Sequence, residues 1–148
     1  NLATMILLVF GISGVTASVI FNRLYRLGAA QFIIHAILLL ALSLGFMLTS
    51  AGYTATMFAL SFAWGIGISC IGLALQMRVL QLAPDATDVA TAIFSGIFNA
   101  GIGAGALFGN QIMRHVGLEY IGFSGAVLAI IALGIFVFFN LRYRNQNI

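Results

Sequence analysis

The segment "TDVATAIFSGIFNAGIGAGALFGNQIM", Thr87 to Met113, contains a single charged residue, Asp88, in 27 positions. Its apolar residues are continuous and do not alternate with polar ones at period two, so the segment predicts a helix and not a strand of a barrel. A helix needs about 20 predominantly apolar residues to cross a bilayer. The segment therefore predicts a transmembrane helix, and similar segments lie on either side of it.

The rest of the chain repeats this pattern. Of the 148 residues, 62% are hydrophobic and 6% are charged, whereas about a quarter of the residues of an ordinary soluble domain are charged. The charged residues separate uncharged runs, and the longest run has room for two spans joined by "TSAGYT" at residues 49–54. The sequence predicts an all-α polytopic membrane protein with five transmembrane helices. They are placed at about Leu2–Phe21, Ala30–Ser50, Thr54–Leu82, Thr87–Met113 and Tyr120–Asn140.

The positive charges predict the orientation of the chain in the membrane. Five of the six arginines fall at one end of the predicted spans, whereas Arg114 falls at the other end together with Glu119. Cytoplasmic loops are enriched in Lys and Arg, so the C-terminus is predicted to be cytoplasmic and the Asn1 end to lie outside. The five arginines are Arg23, Arg26, Arg78, Arg142 and Arg144. The chain opens almost directly inside a span without a signal-peptide pattern, which indicates a piece of a longer protein.

The sequence lacks the residue clusters that catalysis and metal binding need. It has one cysteine, Cys70, three acidic residues and two histidines, His35 and His115, which are predicted to lie on opposite sides of the membrane. We therefore expect no enzyme, no metal site and no cofactor. Gly101, Gly103 and Ala106 match the spacing of a dinucleotide motif but are not expected to form one, because they lie inside a helix and follow no strand. With no lysine, the chain is expected to meet lipid and no nucleic acid.

The fourth span has two different faces. One sector holds only polar or small residues, and a roughly opposite sector holds three glycines at positions i, i+4 and i+8. The first sector is Asp88, Ala92, Ser95, Asn99, Gly103, Ala106 and Asn110, and the second is Gly101, Gly105 and Gly109. The glycines predict a helix-packing seam. Asn99 lies near the middle of the span, so its amide is expected either to line a cavity or to bond to another helix.

The third span shows a similar division, because Ser61, Gly65, Ser69, Gly72 and Gln76 share one sector. Gln76 lies about one turn from the cytoplasmic end, where its amide either reaches the interface or binds a ligand. The second and fifth spans are nearly uniform in Leu, Ile, Phe and Val, and they are predicted to face lipid. The first, third and fourth spans are predicted to enclose an interior.

The connection "LAPDATDVA" carries helix-end signals. Pro84 is predicted to stop the third helix, Asp85 or Thr87 to cap the fourth, and Asp88 to place a negative charge on its first turn. The alternative for the aspartates is a gate or proton site at the cytoplasmic mouth, in which Asp88 pairs with Arg78.

Together these features resemble the major facilitator superfamily. The stretch "GIGISCIGLALQMRVLQLAPDATDVATAIFSGIFNAGIGAGALFGNQ", Gly65 to Gln111, is similar to helices ten and eleven of the sugar efflux transporter branch of the bacterial drug:proton antiporters. The resemblance implies that the five spans correspond to helices eight to twelve of a twelve-helix transporter. Residues 1–148 would then form an incomplete C-terminal transmembrane half-domain, with helix seven and the N-terminal half of the transporter absent.

The resemblance implies a transporter of the bacterial inner membrane that exports sugars or other small polar molecules in exchange for protons by alternating access. In this family helices eight, ten and eleven line the central cavity, so Asn99, Ser95, Ser69 and Gln76 are the candidates for neutral hydrogen bonds to the substrate. Two alternatives belong to other classes. One is a small scaffold or assembly subunit that acts by helix packing, and the other is a channel-like pore, for which no ring of like residues is indicated.

Overall fold

A computed structural model describes residues 2–47, 49 and 52–144, and this part of the chain contains five α-helices and no strand. The helices are α1 (Leu2–Leu24), α2 (Ala29–Gly45), α3 (Thr54–Leu82), α4 (Thr87–His115) and α5 (Tyr120–Arg144). Four of them are long and apolar enough to cross a membrane, and α2 is a shorter apolar helix. The prediction of an all-α polytopic membrane protein is confirmed.

The second helix ends earlier than predicted. The sequence predicted a span to Ser50, whereas α2 ends at Gly45 and the chain turns at Phe46 and Met47. The backbone N–H of Met47 donates to the Leu44 carbonyl at 3.2 Å, an i to i−3 bond that tightens the end of the helix. At 1.5 Å per residue α2 is about 25 Å long, shorter than a hydrocarbon core of about 30 Å. Ser50 itself lies outside the described residues.

Short connections join the helices at the predicted cytoplasmic end. A 3-10 turn at Tyr25–Leu27 follows α1, and Gly28 leads into α2 with φ of +155°, a value that residues with a side chain rarely adopt. A second 3-10 turn at Pro84–Ala86 follows α3, which ends at Leu82 as predicted. Pro84 thus lies where the helix stops.

The start of α4 differs from the prediction in its cap. Ala86 occupies the N-cap position and no side-chain hydrogen bond caps the helix, so neither Asp85 nor Thr87 forms the expected cap. The reason is that the preceding 3-10 turn runs directly into α4, which gives Thr87 helical dihedral angles of −56° and −40°. Asp88 lies on the first turn as predicted, where a negative charge interacts favourably with the helix dipole.

The core lies between α1, α2, α3 and α5. Helix α3 packs against α1 and α2, and α2 packs in addition against α5. The buried cluster consists of Ala17, Phe32, Ile33, Ala36, Ile37, Ala41, Cys70, Ala74 and Ala129. Helix α4 contributes no buried residue and lies beside α3 and α5 with few contacts. It therefore borders a groove instead of closing the bundle.

Helix α2 was predicted to face lipid, and the structure buries one side of it. Phe32, Ile33 and Ala36 are buried, whereas Leu38 and Leu42 on the same helix are exposed. The uniform apolar composition of α2 conceals this division, because side chains in contact with lipid and side chains in a protein core are equally apolar.

Two glycines set the distance between α3 and its neighbours. A Cβ placed on Gly65 would lie 2.9 Å from the Cβ of Ser13 on α1. A Cβ placed on Gly67 would lie within 3.2 Å of main-chain atoms of Ala36 and Leu40 on α2. Helix α3 therefore crosses α2 at near-backbone contact and packs closely against the short side chain of Ser13 on α1, which small residues allow.

Candidate functional site

A groove of about 500 Å³ opens between α1, α3 and α4. It is lined by Phe10, Gly14 and Ser18 of α1, Ile68, Ser69, Gly72 and Leu73 of α3, and Phe98 and Ile102 of α4. Its volume lies within the range of about 300–1,000 Å³ that is usual for small-molecule sites. None of these lining residues carries a charge, so the groove suits a neutral molecule, since a buried charge needs a partner.

The lining residues occur at helical spacing. On α1, Phe10, Gly14 and Ser18 follow one another at i, i+4 and i+8, and on α3, Ser69 and Gly72 are separated by three residues. Sequence patterning singled out Ser69 and Gly72 as one sector of the third span but missed the residues of α1. The signal that could have found them is the same i, i+4, i+8 spacing in the first span.

The hydroxyl groups of Ser18 and Ser69 form no hydrogen bond with another group in the described part of the chain. Some other serines bond to their own helix, as when Ser13 Oγ donates to the Phe10 carbonyl at 2.5 Å and Ser124 Oγ to a carbonyl of α5 at 2.8 Å, whereas Ser61 Oγ is buried without a partner among the described residues. An unpaired hydroxyl can donate one hydrogen bond and accept others. Ser18 and Ser69 therefore supply two polar positions in a site that is otherwise apolar.

Two glycines keep the groove open beside these groups. A Cβ placed on Gly14 would lie 3.7 Å from Ser69 Oγ, and one placed on Gly72 would lie 3.9 Å from Phe98 Cζ. Both distances are ordinary van der Waals contacts, so the fold has room for a methyl group at either position. Such a group would occupy space in the groove next to Ser69 or Phe98.

An aromatic pair lies at one end of the groove. The ring centroids of Phe10 and Trp64 are 5.0 Å apart and the rings are tilted by 48°. This geometry is typical of packed aromatic side chains. Trp64 therefore packs against the ring of Phe10, a residue that lines the groove.

The structure places one of the four predicted substrate residues in the groove, Ser69. Asn99 is exposed on α4, and its Nδ2 donates to the Ser95 carbonyl at 2.8 Å. Ser95 is also exposed and Gln76 is half-buried, and neither of them lines the groove. Asn99 directly follows Phe98, and adjacent residues of a helix point about 100° apart, so the two side chains do not share one face.

The gate candidates form no pair in this structure. Asp85 and Asp88 are exposed, Arg78 is half-buried, and no ion pair joins Asp88 to Arg78, all three being described residues. The cytoplasmic-mouth role of these residues stays a prediction.

The glycine seam of α4 is uncovered within the described residues. A Cβ placed on Gly101, Gly105 or Gly109 would meet no atom of a neighbouring element within 4 Å. Helix α1 has a comparable pair of small residues, Ser13 and Ala17 at i and i+4, and both are fully buried. Small residues at this spacing therefore pack in α1, whereas the seam of α4 has no partner in this part of the chain.

Two other cavities of similar size differ from the groove in their lining. A cavity of about 490 Å³ between α2, α3 and α5 is lined by apolar residues alone. A third, of about 670 Å³, lies around the start of α5, and its lining contains one charged residue, Glu119. No group of three His, Cys, Asp or Glu residues that could hold a metal occurs among the described residues. Of these three cavities, the groove between α1, α3 and α4 is the one lined by hydroxyl groups.

No family model matches the chain. Nearly all of it is similar to proteins named probable sugar efflux transporters. The one from Haemophilus influenzae is 60% identical over 145 residues, which are 98% of this chain and 37% of that protein. Those from Pasteurella multocida and Helicobacter pylori are 54% and 46% identical over 97% of this chain, and 35% and 37% of their own lengths are covered. The chain spans little more than a third of the curated relatives it matches.

Proposed function

We propose that this chain is part of a membrane transporter that exports sugars or similar small polar molecules. Between 97% and 98% of the chain aligns with proteins named probable sugar efflux transporters, and this similarity carries the proposal. The uncharged groove supports it, because a neutral molecule with many hydroxyl groups needs hydrogen-bond partners and no opposite charge. The four long apolar helices supply the membrane setting that such a protein needs.

The proposal extends to the whole protein. The five helices correspond to helices eight to twelve of a twelve-helix transporter of the major facilitator superfamily, drug:proton antiporter type. Helix seven and the N-terminal half of the same transporter are then the partners of this chain. Substrate leaves the cell in exchange for protons, and the two halves rock around a site near the midplane. Support comes from the groove, because Gly14, Ser69 and Phe98 all lie in the middle third of their helices.

The transporter lies in the bacterial inner membrane, with the Asn1 end outside and the C-terminus in the cytoplasm. The support is the distribution of arginines, five of which fall at one end of the helices. Asp85, Asp88 and Arg78 lie at this cytoplasmic end, where they are the candidates for a gate.

A scaffold or assembly subunit that acts by helix packing is the second candidate function. The uncovered seam of α4 favours it, because three glycines without a partner are suited to binding another helix. The two candidates differ in one measurement. A transporter lowers the sugar content of cells that express the full-length protein, and a scaffold leaves it unchanged.

Replacing Asn99 with alanine should lower sugar export by the full-length protein about tenfold. The amide of Asn99 already donates to its own helix through Nδ2, so its oxygen remains free to accept a hydrogen bond from substrate. Loss of one such bond costs about 1–1.5 kcal/mol, and 1.4 kcal/mol is a factor of ten. Export is measured in cells at equal membrane levels of the protein, with Asn140→Ala on α5 as the matched control. Unchanged export by Asn99→Ala would remove Asn99 from the substrate site.

In the full-length transporter, the seam is expected to pack against a helix outside this chain and to leave no room for a side chain. Replacing Gly105 with leucine should therefore destabilise the transporter by about 1–3 kcal/mol. Gly96→Leu is the matched control, since Gly96 lies on the opposite side of α4 and also has no neighbour within 4 Å. Thermal unfolding of both variants in detergent measures the difference. Equal stability of Gly105→Leu and wild type would show that no helix covers the seam.

A further inference from the structure

We propose that a crevice between α1 and α2, at the arginine-rich end of the helices, binds an anionic phospholipid such as phosphatidylglycerol. The phosphate of the lipid lies by Arg23 and Arg26, and one acyl chain lies against α3. The crevice shares no lining residue with the groove between α1, α3 and α4. The inference goes beyond the proposed export of sugars and does not depend on it.

The packing of the helices forms the crevice. Helix α3 packs closely against both α1 and α2, whereas α1 and α2 hardly touch each other. Two cavities, of about 150 and 270 Å³, lie between them. Both cavities are lined by Leu24, Phe32 and His35, so they adjoin and form one crevice. Ile66 and Cys70 of α3 line its inner part.

The inner part of the crevice is suited to an acyl chain. Apart from the ring of His35, its lining is apolar and consists of Ile20 and Leu24 of α1, Phe32, Ala36 and Leu39 of α2, and Ile66 and Cys70 of α3. From Phe32 to Leu39 it follows α2 for about 10 Å, at 1.5 Å per residue. Leu39 and its neighbour Leu38 are exposed. The crevice therefore opens on an apolar surface, which suits the hydrocarbon core of a bilayer.

The outer part of the crevice supplies polar groups at the start of α2. Gly28 and Gln31 line it together with the three shared residues. His35 Nδ1 lies 2.7 Å from the Gln31 carbonyl oxygen, and since a carbonyl only accepts, Nδ1 donates this bond. The other ring nitrogen, Nε2, forms no hydrogen bond with a described residue and is an acceptor in the neutral ring. It matches a hydroxyl of a glycerol headgroup, and the exposed Gln31 amide can donate to a phosphate oxygen.

The positive charge at the mouth of the crevice favours an anionic headgroup. Arg23 directly precedes Leu24, Arg26 lies two residues before Gly28, and both arginines are exposed. Neither arginine forms an ion pair with a described residue. The planar fork of an arginine binds phosphate oxygens through two parallel hydrogen bonds. Two arginines without a carboxylate partner in this part of the chain therefore attract a lipid phosphate.

No acidic residue offsets these arginines at the start of α2. The first turn of α2 contains no acidic residue, and no side chain caps it. The acidic residues of the chain lie before or at the start of α4 and before α5, and they are Asp85, Asp88 and Glu119. Basic pockets between transmembrane helices at the cytoplasmic side bind anionic lipid headgroups. Phosphatidylethanolamine carries an ammonium group that the arginines repel, so phosphatidylglycerol should bind more tightly.

Native mass spectrometry of the full-length protein in detergent measures lipid binding without transport. The probes are phosphatidylglycerol and phosphatidylethanolamine with identical acyl chains. We expect phosphatidylglycerol to bind at least about tenfold more tightly, and the double variant Arg23→Gln, Arg26→Gln to lose this preference. Arg142→Gln is the matched control, since Arg142 is exposed near the end of α5 and lines neither cavity. We expect it to keep the preference of the wild type.

A second pair of variants tests the part of the site that holds the acyl chain. Leu39→Trp fills the inner crevice and should weaken phosphatidylglycerol binding at least about fivefold. Leu38→Trp is the control, because Leu38 is 39% exposed against 37% for Leu39 and lines neither cavity. In the wild-type protein, a phosphatidylglycerol with a diazirine in its acyl chain should crosslink to residues that line the crevice.

Four results would each overturn the lipid site and leave the proposed export of sugars untouched. Equal affinity for the two lipids would show that the mouth does not select an anion. An equal loss of binding in Arg142→Gln would show that the basic surface as a whole attracts the lipid. Displacement of the lipid by glycerol 3-phosphate would identify a soluble anion as the ligand. Crosslinks confined to other helices would show that a helix outside this chain covers the crevice.

Discussion

Leucine in place of Gly67 should force α3 away from α2 and lower the free energy of unfolding of the full-length protein by about 3 kcal/mol. A Cβ at this position would lie 3.1 Å from the backbone nitrogen of Leu40 and 3.2 Å from the carbonyl oxygen of Ala36. These are main-chain atoms, which cannot rotate away as a side chain can. The two helices must separate, and the cluster of buried residues between them loses its contacts.

Thermal unfolding of the purified protein in detergent measures this effect. Gly134→Leu on α5 is the control, because a Cβ at Gly134 would meet no atom within 4 Å. We expect this control to change the free energy of unfolding by less than about 0.5 kcal/mol, as is usual for substitutions away from packed positions. If Gly67→Leu were as stable as the control, α2 and α3 would not be in backbone contact.

The positions of the helices could be predicted from the sequence because charged residues and proline interrupt the apolar runs. Helix α3 has the predicted bounds, Thr54 to Leu82, since "TSAGYT" precedes it and Pro84 follows it. Helix α2 ends five residues before the predicted position. The sequence did not predict this end, because no charge or proline marks it and the shortening depends on hydrogen bonds near Gly45. A hydropathy pattern does not encode such an end.

The candidate site could be predicted in part. The groove lies between the first, third and fourth helices, whose small and polar residues predicted an interior, and it contains Ser69. Ser18 and Phe98 were missed because their roles depend on which side of each helix faces the groove. That side is set by the crossing of α1 and α3 at Gly65 and Ser13, a contact between residues far apart in sequence. Periodicity can group Phe10, Gly14 and Ser18 on one face of the first helix, but it does not show that this face borders the groove.

Replacing Gly65 with alanine should push α1 and α3 apart and lower the free energy of unfolding by about 2 kcal/mol. The new methyl group would overlap the Ser13 hydroxyl and would lie 2.9 Å from the Ser13 Cβ and 3.1 Å from Cδ2 of Phe10. Ser13 is fully buried, so α1 itself must move. Because Phe10 also lines the groove, the same displacement should reduce the export of sugars that we propose for the full-length protein.

A double-mutant cycle distinguishes this clash from a general effect of alanine in α3. Ser13→Gly removes the group that the new methyl overlaps, and by itself costs about 1 kcal/mol because glycine is a poor helix former. The double variant Gly65→Ala, Ser13→Gly places the small residue on the opposite helix and restores the space between them. We expect it to be more stable than the sum of the single variants by at least about 1 kcal/mol, a coupling typical of residues in contact. Strictly additive costs, measured by thermal unfolding, would show that Gly65 and Ser13 do not touch and that the groove is held open by some other contact.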